Sequence, residues 1–372
     1  MDRRAWLKRG GALSALSLLG APAMVSELTA KEIAEFNPRP LADPVALNFN
    51  ENPFGPSAKV RQAMTKAFDL GCRYPDGLIE ELAEKLARKE GVSRDHIVIG
   101  GGSSECLKIT GATFTKGGGE IIAARPTFLA MMTFARQWGA NIKWVDLNEQ
   151  KAHDLDAMER NISDQTRLIF LCNPNNPTST IVDKDRLVDF CETASRRTIV
   201  FSDEAYYDFI EEPDYPSMVS LVREGRDVIV SRTFSKVYGL AGLRVGYVIA
   251  RPELANQIRR NIPANTNVLA LKAAMAALDD QEFYNFSLNK VKEGKRLMYK
   301  AMDELKLEYV PSHTNFIFFK TGRDILQFNR QMLAEGVRVG RPFPPYQDWC
   351  RISMGTIEEV RIFNEALQKV MS

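Results

Sequence analysis

The sequence predicts an α/β protein: a mainly parallel seven-stranded sheet with helices on both faces, followed by a smaller α+β region. Three observations support this. Short apolar runs rich in β-branched residues recur between residues 96 and 250, and they are apolar on both alternating sets, as strands buried on two faces must be. Several are separated by stretches with helical spacing, such as KDRLVDFCETASRR, so strand and helix alternate. From about residue 265 that alternation stops and longer helical stretches take over.

The first residues stand apart. MDRRAWLKRG is basic, GALSALSLLGAPA is weakly apolar and uncharged, and Ala21-Pro22-Ala23 has the small-x-small form of a cleavage site. The apolar part is too short for a permanent membrane anchor. Arg3-Arg4 ahead of Trp6-Leu7-Lys8 resembles the twin-arginine export signal. The expectation is a signal peptide over 1–23 and a periplasmic mature chain beginning near Met24. An ordinary N-terminal arm on a cytoplasmic protein is the alternative. Residues 24–52, with Pro38 and Pro40, read as an arm joining the small domain, 53–264 as the large domain and 265–372 as the small one.

Helical spacing runs through Val60, Met64, Ala67 and Phe68, and again through Leu78, Leu82, Leu86 and Ala87. The strand-like runs are HIVIG (96–100), EIIAA (120–124), NIKWVDL (141–147), LIFLCNP (168–174), TIVFSDEAY (198–206), DVIVSRT (227–233) and RVGYVIA (244–250). A long helix is expected over 268–306, then EYVPSHTNFIFFK, a helix over 325–334, the segment GRPFPPYQDW, the strand-like CRISMG and a last helix over 357–370.

Bulk properties exclude several classes. A net charge of +2 with no Lys/Arg run in the body of the chain gives nucleic acid no electrostatic footprint. Five scattered cysteines without a C-x-x-C pair argue against a disulfide framework or a zinc site. Three distant histidines make a histidine metal centre or a Ser-His-Asp triad a poor fit.

Open parallel sheets bind ligands beyond the carboxyl ends of their strands, so the loops there carry the chemistry. After HIVIG, Gly100-Gly101-Gly102-Ser103-Ser104 opens a helix and offers free N–H groups suited to a phosphate, although a plain turn has the same composition. Asn176 sits in the proline-stiffened loop NPNNPT. Asp203, delivered at the end of a buried strand, requires a cationic partner or hydrogen bonds. Lys236 lies in SRTFSKVYGLAGLRVGY among Thr233, Ser235 and Arg244. A desolvated lysine beside another cation has a lowered pKa, freeing its amine for a Schiff base with a carbonyl. The hydroxyls and Arg244 suit a dianionic phosphate. An imine-forming lysine, a buried acid and a phosphate cradle together match what pyridoxal phosphate needs.

At this point the chain resembles the fold-type-I pyridoxal-phosphate aminotransferases of classes I and II, most closely the histidinol-phosphate aminotransferase branch. The matching stretches are NENPFGPS, RYPDG, GGGSSE, RPTF, NPNNPT, DEAYYDF, SRTFSK…LAGLRVGY and CRISMGT, in the family's order across 50–356. The resemblance implies that Lys236 holds the cofactor and shuttles the proton, that Asp203 pairs with the ring nitrogen, and that Tyr206 and Asn176 bond its phenolic oxygen. It implies Phe128 stacked on the ring, and Ser103, Ser104, Thr233, Ser235 and Arg244 on the phosphate. Tyr74 would reach the neighbouring subunit's phosphate, which implies a homodimer with shared sites. Arg351 would clamp the substrate carboxylate, assisted by Asn52 and Asn315. The implied reaction is ping-pong transfer of an amino group from an amino acid, or an amine like histidinol phosphate, to a 2-oxo acid such as 2-oxoglutarate. Racemase, β-lyase or oxidase chemistry would use the same lysine and acid, and a non-catalytic cofactor-binding protein is a third class.

Three departures from the family pattern stand out. Ser179 replaces the usual glycine after NPNNPT, GGGSSE has serine where an acid is common, and the segment around Arg341 differs in length and proline content.

Overall fold

The computed structural model describes residues 43–75 and 77–372. The expected export signal and the first part of the arm lie outside these residues. Strand β1 (Val45–Ala46) comes first. The main sheet follows with β2 (Ile97–Gly100), β3 (Glu120–Arg125), β4 (Asn141–Asp146), β5 (Thr166–Cys172), β6 (Ile199–Asp203), β7 (Val228–Thr233) and β8 (Gly246–Ala250). All seven expected strands form, in the spatial order β2-β8-β7-β6-β5-β3-β4. The sheet is parallel from β7 to β4, and β8 runs antiparallel to both its neighbours. On β5, Ile169 and Leu171 pack into one core while Leu168 and Phe170 pack into the core on the other face. Burial of both alternating sets is the reason these runs are continuously apolar.

Beyond the main sheet lie β9 (Tyr309–Val310), β10 (Phe316–Lys320), β11 (Val337–Arg338) and β12 (Trp349–Ser353). Strands β12, β10 and β9 form an antiparallel sheet, and β1 pairs in parallel with β11. Val45 and Leu47 share a core with Ile317, Phe319, Phe328 and Phe363, so the segment entering the active site is anchored on this smaller sheet.

Two helical expectations are corrected. The first helix spans Ala58–Lys66, and Phe68 falls in a following 3-10 turn where it is 63% exposed. The single helix expected over 268–306 is two, Val268–Leu278 and Gln281–Glu304. Asp280 breaks it: its carboxylate accepts from Phe283 N at 3.3 Å, starting the second helix as an N-cap.

Candidate active site

A cavity of about 370 Å³ opens at the carboxyl ends of β6 and β7. Asp203 ends β6 opposite Ser231 on β7. It is 3% exposed, and its Oδ1 accepts from Ser231 Oγ at 2.7 Å. Burial pushes its pKa up to about 6, opposed by the Ser231 hydroxyl, the Ala205 N–H and Lys236. The next residue, Glu204, is buried too, but it pairs with Arg232 at 2.8 Å and accepts from Met218 N. Among the described residues Asp203 has no such ion pair, and it faces the cavity.

Lys236, in the loop after β7, donates from Nζ to Asn50 O at 2.9 Å, and its amine lies 5.5 Å from the centre of the Tyr206 ring. Burial first, then the positive charges of Arg351 and Arg244, pull its pKa down to about 7. This is the direction expected for a desolvated lysine beside another cation. Tyr206 accepts from Asn50 Nδ2 at 3.0 Å and from Asn176 Nδ2 at 3.3 Å. Burial keeps its phenol protonated far above neutral pH.

Arg351, on β12, is 8% exposed. It donates to Asn176 Oδ1 at 2.8 Å and to Asn48 O at 2.6 Å, while its Nε is buried without a partner. No carboxylate pairs with it among the described residues, and burial, with Arg341 adding, lowers its pKa to about 10.

Ser103, Ser104, Thr233, Ser235 and Arg244 line the same cavity. Arg244 Nη1 donates to Ala241 O at 2.8 Å and to Ser235 Oγ at 3.4 Å. Close backbone approach builds this corner. A Cβ on Gly246 would lie 2.3 Å from Ser103 N, and one on Gly102 would lie 2.3 Å from Arg244 Nη2. Phe128 lines the wall and packs on the core behind it.

Three expected site residues stand elsewhere. Asn52 does not line the cavity: its amide donates to Val237 O at 2.8 Å and Ser287 Oγ at 2.9 Å, tying the entering segment to the lysine loop. Asn315 is buried behind that segment, donating to Asn50 O at 3.0 Å. Neither amide donor is free for a substrate carboxylate. Tyr74 is 85% exposed and does not line its own chain's cavity. Conversely, Asn48, Asn50 and Thr127 line the cavity unanticipated. Asn50 lies in the same NENP stretch as Asn52; its backbone is left-handed, φ 57°, and its side chain turns inward to Tyr206 and Ser353. Ser179 also adopts the left-handed region, φ 61°, so the loop keeps the turn a glycine would make.

These residues fit pyridoxal phosphate. Buried charges are ordinarily paired, yet this cavity holds a buried carboxyl at Asp203 and a buried guanidinium at Arg351 without ion pairs among the described residues, and the exposed guanidinium of Arg244 at its rim has no carboxylate partner among them either. A ligand with a protonated ring nitrogen, an aldehyde and a phosphate would meet Asp203, Lys236 and Arg244 respectively.

Comparison with known proteins agrees. A profile of the aminotransferase class I and II family matches residues 42–367. The chain is 41% identical to a histidinol-phosphate aminotransferase of Moorella thermoacetica, over 89% of this chain and 86% of that one. It is 39% identical to one of Akkermansia muciniphila, over 94% and 95%. The crystal structure of histidinol-phosphate aminotransferase from Sinorhizobium meliloti, in complex with pyridoxal-5'-phosphate, superposes with a TM-score of 0.81 at 25% identity, covering 95% of this chain and 99% of that one. The chain belongs to the class I and II aminotransferases and is a pyridoxal-phosphate-dependent transaminase.

Proposed function

We propose that this transaminase takes a donor with an anionic group at Arg351, of the amino-acid or histidinol-phosphate type, and passes its amino group to a 2-oxo acid such as 2-oxoglutarate. The observation that carries this reading is Arg351, buried with its Nε unpartnered and no carboxylate beside it among the described residues, opening on the cavity that holds the Lys236 amine. A planar guanidinium accepts a carboxylate through two parallel N–H bonds.

When bound, the cofactor supplies an aldehyde that condenses with amines and a ring that withdraws electrons from the adjoining carbon. The chain's residues do the rest. With its pKa near 7, Lys236 is neutral in a substantial fraction of molecules and can accept a proton from the substrate carbon, then return it one position away. Asp203, ionised when a cation faces it, keeps the ring nitrogen protonated. Tyr206 and Asn176 would meet the phenolic oxygen, Phe128 would cover the ring, and Ser103, Ser104, Thr233, Ser235 and Arg244 would hold the phosphate. Arg351 orients the substrate so that its labile proton faces Lys236.

The names of the curated relatives support an amine of the histidinol-phosphate type. Arg341 also lines the cavity, its guanidinium 4.3 Å from the Phe343 ring, and suits a second anionic group on the substrate. The deciding experiment follows the cofactor's absorbance while purified holoenzyme meets the standard amino acids and histidinol phosphate singly, then 2-oxoglutarate. A spectral change with a donor, reversed by the 2-oxo acid, is expected. No donor giving such a change would overturn the reading.

The enzyme works as a homodimer in this proposal, Tyr74 reaching the partner's phosphate site. The exposure of Tyr74, Phe68 and Phe49 supports it. Light scattering should give twice the chain mass, and Tyr74→Phe should weaken cofactor binding; a monomer with full affinity would reject the idea. Export through the twin-arginine route is supported by Arg3-Arg4 and the apolar stretch, which lie ahead of the matched family region at 42–367. Replacing both arginines by lysine should retain the protein in the cytoplasm, and unchanged fractionation would remove the claim.

A further inference from the structure

Tyr206 is surrounded by more donors than its role in the cavity needs, and that excess has a consequence. A phenol oxygen has two lone pairs and one proton. Both lone pairs of Tyr206 face amide donors, Asn50 Nδ2 at 3.0 Å and Asn176 Nδ2 at 3.3 Å. Neither amide can be turned around. Asn176 Oδ1 accepts from Arg351 Nη1 at 2.8 Å, and Asn50 Oδ1 accepts from Ser353 Oγ at 2.9 Å. Ser353 Oγ in turn accepts from Asn50 N at 2.8 Å, and its own proton has only Asn50 Oδ1 as acceptor among the described residues, so turning the amide would strand that buried proton. The hydroxyl proton of Tyr206 therefore has no acceptor among the described residues and is left to the cavity.

We infer that Asn50 is a positioning residue of the transaminase, fixing the Tyr206 hydroxyl as a donor into the cavity. It acts through Tyr206, and the inference rests on the proposed contact of Tyr206 with the cofactor's phenolic oxygen. Asn50 is well placed to hold this geometry. It is buried, its backbone is left-handed, and its carbonyl accepts from both Lys236 Nζ at 2.9 Å and Asn315 Nδ2 at 3.0 Å. One residue thus seats the free lysine amine with its main chain and orients the tyrosine proton with its side chain. The phenol stays protonated over the working pH range because it is buried, so the donor persists.

The test is a spectrophotometric pH titration of holoenzyme reconstituted with pyridoxal phosphate, whose visible absorbance reports the proton affinity beside its phenolic oxygen. Asn50→Gly keeps the left-handed backbone without strain and removes the amide without adding charge. Losing an oriented donor raises the proton affinity of the oxygen it faced. The midpoint should rise by about half a pH unit in Asn50→Gly and by about one in Tyr206→Phe, a tenfold change in proton affinity. The double variant should rise no further than Tyr206→Phe alone. Asn50→Asp, which keeps the side-chain shape but presents an acceptor, should raise the midpoint more than glycine does. The part of that shift due to charge remains in the Tyr206→Phe background and subtracts out. An unmoved midpoint in both Asn50 variants, or additive shifts in the double variant, overturns the inference while leaving Tyr206 its role. An unmoved midpoint in Tyr206→Phe overturns the underlying contact instead.

Discussion

Replacing Lys236 by methionine should make the apoenzyme more stable while abolishing its chemistry. Burial and two neighbouring cations pull the amine's pKa from 10.5 to about 7. Below pH 7 the amine is charged in folded and unfolded chains alike, and the full penalty of confining that charge is present. Between about pH 7 and 10.5 the unfolded chain still holds a proton that the folded chain has released, so wild-type stability climbs with pH. At 1.36 kcal/mol per pH unit the bare difference is roughly 5 kcal/mol. The amine is only partly enclosed and keeps its bond to Asn50 O, so about 2 kcal/mol is the realistic expectation. Methionine has nearly the same length and adapts to irregular space, so little packing is lost. Urea denaturation of both apoenzymes at pH 6.5, 8 and 10 reads the effect directly. The variant should lead at pH 6.5, and the gap should close by pH 10 while transamination falls on the order of 10⁴-fold. A variant no more stable than wild type at pH 6.5, or a gap that does not change with pH, would refute the reasoning.

Asp203→Asn should stabilise the apoenzyme by about 1 to 2 kcal/mol at pH 8. The native carboxyl, raised from 3.8 to about 6, is disfavoured when ionised, and the advantage should vanish as pH falls through 6 to 4. The same variant should bind pyridoxal phosphate more weakly, as a fluorescence titration would show. Arg351→Lys keeps a charge but loses the paired N–H fork, so kcat/KM for the amino donor should fall on the order of 10²-fold with the cofactor's absorbance unchanged. Gly246→Ala would put a Cβ 2.3 Å from Ser103 N and 2.8 Å from Gly102 C, backbone atoms that cannot swing aside. Its dissociation constant for the cofactor should rise more than tenfold, and wild-type affinity would show that the close approach is not what shapes the phosphate corner.

What could be read from the sequence follows from the range of each interaction. Most of the seven main strands were legible because they are buried on both faces, so a local apolar run rich in β-branched residues identifies them without knowledge of their neighbours; the edge strand β4 is the least buried and the least apolar. The break at Asp280 was legible in principle, since an aspartate ahead of an apolar-periodic stretch is an N-cap signal, but uninterrupted helical spacing on both sides hid it. Within the site, Lys236, Asp203, Tyr206 and Arg351 each sit in a stretch that names them by residue type. The exchange of Asn52 for Asn50 could not be read that way. Both are asparagines of one motif, and the inward one is marked by its left-handed backbone and its bond to Ser353, 303 positions away in the chain.

The charges in this cavity explain why the site is both functional and costly. Glu204, the residue after β6, and Arg232 on β7 neutralise each other at 2.8 Å. Strand alternation sends Arg232 to the opposite face from Ser231, whose register partner Asp203 lines the cavity. A chain selected for stability alone would close the second pair as it closed the first. Instead Asp203 has a serine opposite it, Arg351 ends on the asparagine side chain of Asn176 and the main chain of Asn48, and Lys236 rests on a carbonyl. Each partner is neutral and satisfies hydrogen-bonding geometry while leaving the charge available. That arrangement lets a ligand bearing the complementary charges bind strongly, because the chain has already borne the desolvation and the ligand relieves it. It follows that cofactor should stabilise the wild type more than it stabilises Lys236→Met or Asp203→Asn, even at concentrations that saturate all three.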